Sequence, residues 1–154
     1  MEIHNDWYKD VVKEIDKHKG RFSKRDYKKY KLDLLLRVAK RVASFSTDCV
    51  ECQNFQGEIT KLVEDLGDLV HSFKEKRKSH NQVINSIVKH LQKHHELITE
   101  GKNLAIWIAI GSGMGVAIGA GSDNIGVGIA IGVGIGVAIG SYMDAKAKKE
   151  DKVI

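Results

Sequence analysis

From Leu35 to Ile98 the chain returns an apolar residue at alternating intervals of three and four. The seam runs through Leu35, Val38, Val42, Phe45, Cys49, Cys52, Ile59, Val63, Leu66, Val70, Phe73, Ile84, Ile87, Leu91 and Ile98. A spacing near 3.5 held this long predicts helices that pack on other helices along their whole length. Polar residues interrupt it at Gln56, Arg77, His80 and His94. Gln56 adjoins Gly57, and residues 77–80 overlap Lys78-Ser79-His80-Asn81, where Ser79 and Gln82 have the chemistry to cap a new helix. The pattern predicts reversals at these two places and an antiparallel bundle. Its rival is one extended coiled coil, roughly 100 Å long at about 1.5 Å per residue, paired with another chain. Upstream, a short helix over residues 6–18 should end at Lys17-His18-Lys19-Gly20, and Ser23-Lys24-Arg25-Asp26 resembles a capping box.

Past Lys102 the pattern changes. Residues 104–121 and 125–143 carry no charge and are joined by Ser122-Asp123-Asn124, a turn by composition. Each segment has about the twenty residues a helix needs to cross a bilayer. Lys89, Lys93 and Lys102 precede the pair, Lys146, Lys148, Lys149 and Lys152 follow it, and the link has no lysine. The positive-inside rule then predicts a multi-pass hairpin with both termini cytoplasmic. Met1-Glu2-Ile3-His4-Asn5-Asp6 lacks the features of a secretory signal, which agrees with that orientation.

Gly111, Gly115 and Gly119 lie four apart, as do Gly128, Gly132, Gly136 and Gly140. On a helix such residues stack into a shallow groove where another backbone can approach closely. On these residues the segment resembles the glycine-zipper membrane proteins, a bacterial grouping defined by GxxxGxxxG repeats in short hairpins. The resemblance covers about residues 104–143 and implies a tightly packed, oligomer-prone hairpin with no particular activity. A second row, Gly126, Ala130, Gly134 and Ala138, faces the opposite side. One groove can serve the hairpin partner and the other a neighbouring molecule, which predicts a homo-oligomer. The same alternation of small and branched residues has the period of a strand. A strand of that length, however, overshoots the nine to eleven residues of a membrane crossing and shows no polar face.

The net charge of +5 is unevenly spread. Between Lys17 and Arg41 eleven Lys and Arg face only Asp26 and Asp33; residues 48–75 are acidic and residues 76–102 basic again. The first run, with Lys24, Arg25, Lys28, Lys29 and Lys31 at its centre, is expected to meet anionic lipid rather than nucleic acid, given the apolar hairpin. Trp107 and Tyr142 suit interfacial belt positions.

Catalytic signals are missing. Six Gly-x-Gly pairs occur, yet the residue three further on is never glycine, and no GxxxxGK[ST], HExxH or GxSxG is present. No small-molecule substrate is expected. Cys49-Val50-Glu51-Cys52 is a CxxC, and His90 and His94 stand at helical spacing, so Cys49, Cys52, His90 and His94 have the donor types for zinc. The 37-residue gap between the pairs matches no standard finger. Buried packing in the seam and a redox pair are the other readings of the cysteines; no other cofactor is indicated.

The expectation is an all-α, non-enzymatic protein in three parts. Residues 1–102 form a cytoplasmic helical bundle or coiled coil, residues 103–143 a transmembrane glycine-zipper hairpin, and residues 144–154 a basic tail. It acts as a membrane scaffold or a permeabilising component. The alternative is a membrane-anchored helical module that senses metal or redox state through Cys49, Cys52 and the histidines.

Overall fold

The computed structural model of the chain describes residues 6–69 and 74–154, with residues 74 and 75 described by backbone alone. It divides into two compact units, residues 1–95 with Ile154, and residues 96–153. Both are helical, as the sequence pattern requires.

The first unit contains α1 (Asp6–Lys19), α2 (Lys24–Lys29), α3 (Leu32–Phe45), α4 (Val50–Glu64), α5 (Leu66–Leu69) and α6 (Lys74–His94). Ser23 caps α2 as its sequence suggests, its Oγ accepting from the Asp26 amide at 3.1 Å. The four long helices alternate in direction. Trp7 Nε1 donates to Thr60 Oγ1 at 3.0 Å, which sets α1 along α4. Lys31 Nζ donates to Asn85 Oδ1 at 3.0 Å and the Phe45 ring stacks on His95, which sets α3 along α6. The result is an antiparallel bundle rather than one extended coil. Its core is the predicted seam joined by α1: Val11, Ile15, Leu35, Val38, Val42, Cys52, Ile59, Val63, Leu66, Ile84, Ile87 and Leu91 are all buried. Seam positions Val70 and Phe73 lie outside the described residues.

The reversals are not where the polar interruptions put them. Helix α4 runs unbroken through Gln56 and Gly57, and α6 runs unbroken through residues 77–80, so Ser79 and Gln82 cap nothing. A lone glycine costs a helix only about 1 kcal/mol, which tertiary packing overrides. Gly57 is exposed, with open space where a side chain would be. The break after α3 instead falls at residues 46–49. Cys49 is the N-cap of α4, its Sγ accepting from the Cys52 amide at 3.4 Å, and Gln53 Nε2 donates back to the Ser46 carbonyl at 2.8 Å.

The second unit is a hairpin of α7 (Lys102–Gly121) and α8 (Ile125–Lys149). Asn124 caps α8, its Oδ1 accepting from the Val127 amide at 3.2 Å. Residues 144–149 prolong α8, so the expected tail is mostly helix. Asp144 reaches across and accepts from the amides of Asn103 at 3.2 Å and Leu104 at 3.1 Å. These are amides of the first turn of α7, whose own N-cap, Gly101, has no side chain to offer. Both helices are long and apolar enough to cross a membrane.

Candidate functional site

In the first unit, the start of α4 and the end of α6 bring two thiols and two imidazoles together. Cys49 Sγ lies 3.4 Å from His90 Nε2, and Cys52 Sγ lies 3.7 Å from His90 Nε2 and 3.4 Å from His95 Nε2. All four donor atoms fall within 4.8 Å of one another. Cys52 is buried, and Cys49, His90 and His95 are half-buried.

Here the structure corrects one expected residue. His94, chosen for its i,i+4 spacing from His90, is exposed and stacks on the outer side of the His90 ring at 4.8 Å. His95 takes the place beside Cys52. A straight helix repeats every 3.6 residues, so a seam read at 3.5 drifts by the last turn. The buried positions Ile84, Ile87 and Leu91 continue to residue 95 rather than 94. The helix ends at His94, and Glu96 follows in a left-handed conformation. Leu91 plus four was the sequence signal that identifies His95.

Aromatic neighbours fix the imidazoles. Phe45 stacks on His95 at 4.0 Å, and Phe55 meets His90 edge-on at 5.3 Å. Burial, helped by the nearby histidines, holds both His90 and His95 below the ordinary imidazole pKa, so their rings are neutral and carry a free lone pair at neutral pH. Burial pushes the Cys52 thiol up to about 12, assisted by its contact with Cys49 and the charge of Glu51. An unassisted Cys52 is therefore a poor nucleophile.

In the hairpin, the seven glycines of the first row are all buried and all in the helix interface. A Cβ on Gly132 would lie 2.9 Å from Gly115 Cα and overlap the Gly111 carbonyl; one on Gly140 would lie 2.6 Å from Leu104 Cα. Gly111, Gly115, Gly119, Gly128 and Gly136 meet facing backbone in the same way. The contact is backbone on backbone. The second row points away from this interface: Gly126, Ala130, Gly134 and Ala138 are exposed, and space around Gly134 is open.

In the basic segment, Lys24, Arg25, Lys28 and Lys29 are exposed on α2, while Lys31 is half-buried and engaged with Asn85. Of the aromatics, Tyr142 is 71% exposed, and Trp107 Nε1 donates to Met143 Sδ at 2.9 Å. Tyr30 is a core residue whose hydroxyl donates to the Leu69 carbonyl at 2.9 Å.

No family model, curated protein or solved structure matches the chain.

Proposed function

We propose that the protein is a non-enzymatic integral membrane protein whose hairpin inserts in the bilayer and packs against further copies of itself as a scaffold. The helical unit is then held on the cytoplasmic side. One observation carries this reading. Of the fourteen exposed large hydrophobic residues among those described, all except Val50 lie on α7 and α8. Monomeric soluble proteins rarely expose apolar surface on that scale. In hydrocarbon it is the favoured surface, and a helical hairpin satisfies its backbone polar groups internally.

The two glycine rows divide the work. The first closes the hairpin, and the second stays available to a neighbouring copy, with small residues that let backbones approach. A scaffold is favoured over a water-filled pore because hydroxyls are sparse and two of them are already used. Ser112 Oγ donates to the Ala109 carbonyl and Ser122 Oγ to the Ile118 carbonyl, each within its own helix. The lysines flanking the hairpin set both termini on the cytoplasmic side, where Lys24, Arg25, Lys28 and Lys29 face anionic headgroups.

The test is cross-linking in native membranes after alkaline extraction. The parent chain stays in the membrane fraction and cross-links to itself, whereas Gly134→Leu inserts but loses most self-association, since overpacking of this kind costs about 1–3 kcal/mol per contact. Release of the parent by alkali defeats the membrane reading. Undiminished cross-linking of Gly134→Leu defeats the scaffold, and leakage from loaded vesicles would replace it with a pore.

A further inference from the structure

The geometry points to a tetrahedral zinc site in the helical unit, with Cys49 Sγ, Cys52 Sγ, His90 Nε2 and His95 Nε2 as its four ligands. This goes beyond the membrane reading and does not rest on it.

The spacing of the donors is the first argument. Zinc sits about 2.3 Å from sulfur and about 2.0–2.1 Å from nitrogen, and at tetrahedral angles this puts sulfur and nitrogen about 3.6 Å apart. Three of the four sulfur–nitrogen separations here, Cys49–His90, Cys52–His90 and Cys52–His95, are 3.4, 3.7 and 3.4 Å. Four donors drawn from the ends of two helices and a span of 47 residues thus lie within 4.8 Å of one another, with three of their separations close to the tetrahedral value.

The donor set is the second. Two sulfurs and two imidazole nitrogens in tetrahedral array select zinc among the common divalent metals, whereas oxygen-rich octahedra suit magnesium or calcium. Binding converts two thiols and a dication into a neutral centre: both thiol protons leave to solvent as the two Zn–S bonds form. A neutral centre suits a half-buried place between helices.

The surroundings are the third. Cys49 is the N-cap of α4, and the contact its Sγ accepts from the Cys52 amide fixes the sulfur at the start of that helix. Phe45 and Phe55 hold the two rings in place, as the shell around a metal ligand must. With four protein ligands no position is left open for a substrate. Such a centre ties the start of α4 to the end of α6 and is structural or metal-sensing rather than catalytic.

The full-length chain, purified in detergent and titrated with cobalt(II) as a spectroscopic stand-in for zinc, provides the test. The expected result is one equivalent bound, with the ligand-field bands of tetrahedral cobalt and a thiolate charge-transfer band, all bleached by zinc. Cys52→Ser and His95→Asn should lose that spectrum, while His94→Asn keeps it. Far-UV circular dichroism separates lost ligands from lost fold. X-ray absorption of the zinc-loaded parent is independent of any variant and should count two sulfur and two nitrogen neighbours. A parent chain with no tetrahedral spectrum overturns the proposal, as does a first shell dominated by oxygen, or a spectrum that survives His95→Asn and vanishes with His94→Asn. Metal binding by a chain that alkali releases from membranes would leave this site standing and remove only the membrane reading.

Discussion

The two units of this chain solve the same problem, helix against helix, with opposite materials. In the helical unit the interface is made of side chains. Leu35, Val38 and Val42 of α3, Ile59 and Val63 of α4, and Ile84, Ile87 and Leu91 of α6 are all buried, and α3 packs against both α4 and α6. In the hairpin the interface has no side chains at its centre, and Ile and Val point outward instead. On the membrane reading proposed above, the difference follows from solvent. In water, burial of apolar side chains drives association. In lipid that drive vanishes, and only close approach and dispersion remain. An interface made of Leu and Ile is therefore broken by removing atoms, and one made of glycine is broken by adding them.

Leu35→Ala should show the largest effect. Leu35 is fully buried on the helix that touches every other long helix of its unit. Truncation there should cost about 2–5 kcal/mol, read as a lowered denaturation midpoint of the helical unit. If the side-chain core is as close-packed as described, the loss cannot fall below the transfer value of the deleted methyl groups.

Next comes the reverse operation. Gly132→Leu should splay the hairpin at a cost of about 1–3 kcal/mol or somewhat more, because the obstacle is backbone that cannot rotate aside. Spin labels placed on α7 and α8 should report a wider separation. Gly134→Ala is the control from the outward row. It should leave the separation unchanged and gain up to about 1 kcal/mol of helix propensity. Equal responses at the two positions would erase the distinction between the rows.

The smallest effect concerns His80, the one buried polar residue among those described. Its Nε2–H donates to the Tyr30 carbonyl at 3.1 Å, and its Nδ1 has no partner. Burial holds its pKa below the ordinary 6.5, against weaker opposition from the Tyr30 carbonyl and the Asp65 charge. The unfolded chain thus binds this proton more readily than the folded one. Stability from this source is complete above about pH 7 and is lost as pH falls through 6.5 toward the folded value. Parent and His80→Leu, compared from pH 7.5 to 5, should differ in slope, the variant being flatter. Identical slopes would mean that His80 is protonated in place without cost.

Much of this contrast was legible in the sequence, and the exceptions have physical causes. The 3–4 seam identified the core residues because burial follows periodicity. The four-residue glycine rows identified the hairpin interface because only glycine leaves room for backbone. Chain reversals were misjudged because a glycine or a polar seam residue weakens a helix by far less than packing restores. The decisive signal near residues 46–49 was Cys49 acting as a cap, a role its chemistry does not advertise. In the same way His95 escaped because its position depends on where α6 ends and on helical phase accumulated over several turns. The row that faces the hairpin partner was undecided because both rows are small; the structure pairs the two that are all glycine, which allow the closer approach.

A glycine row repeating every four residues also has a weakness of alignment. Sliding one helix past the other by a single turn would bring glycine to glycine again, so the rows by themselves leave the register degenerate. What singles out one alignment has to be aperiodic. The Ser122-Asp123-Asn124 link is too short to allow a slip at one end. At the other end Asp144 occurs once, and a shift of one turn would carry its carboxylate about 5.4 Å from the two amides it holds. One acid at the foot of the hairpin thus acts as an indexing pin, and it turns a repetitive surface into a single structure.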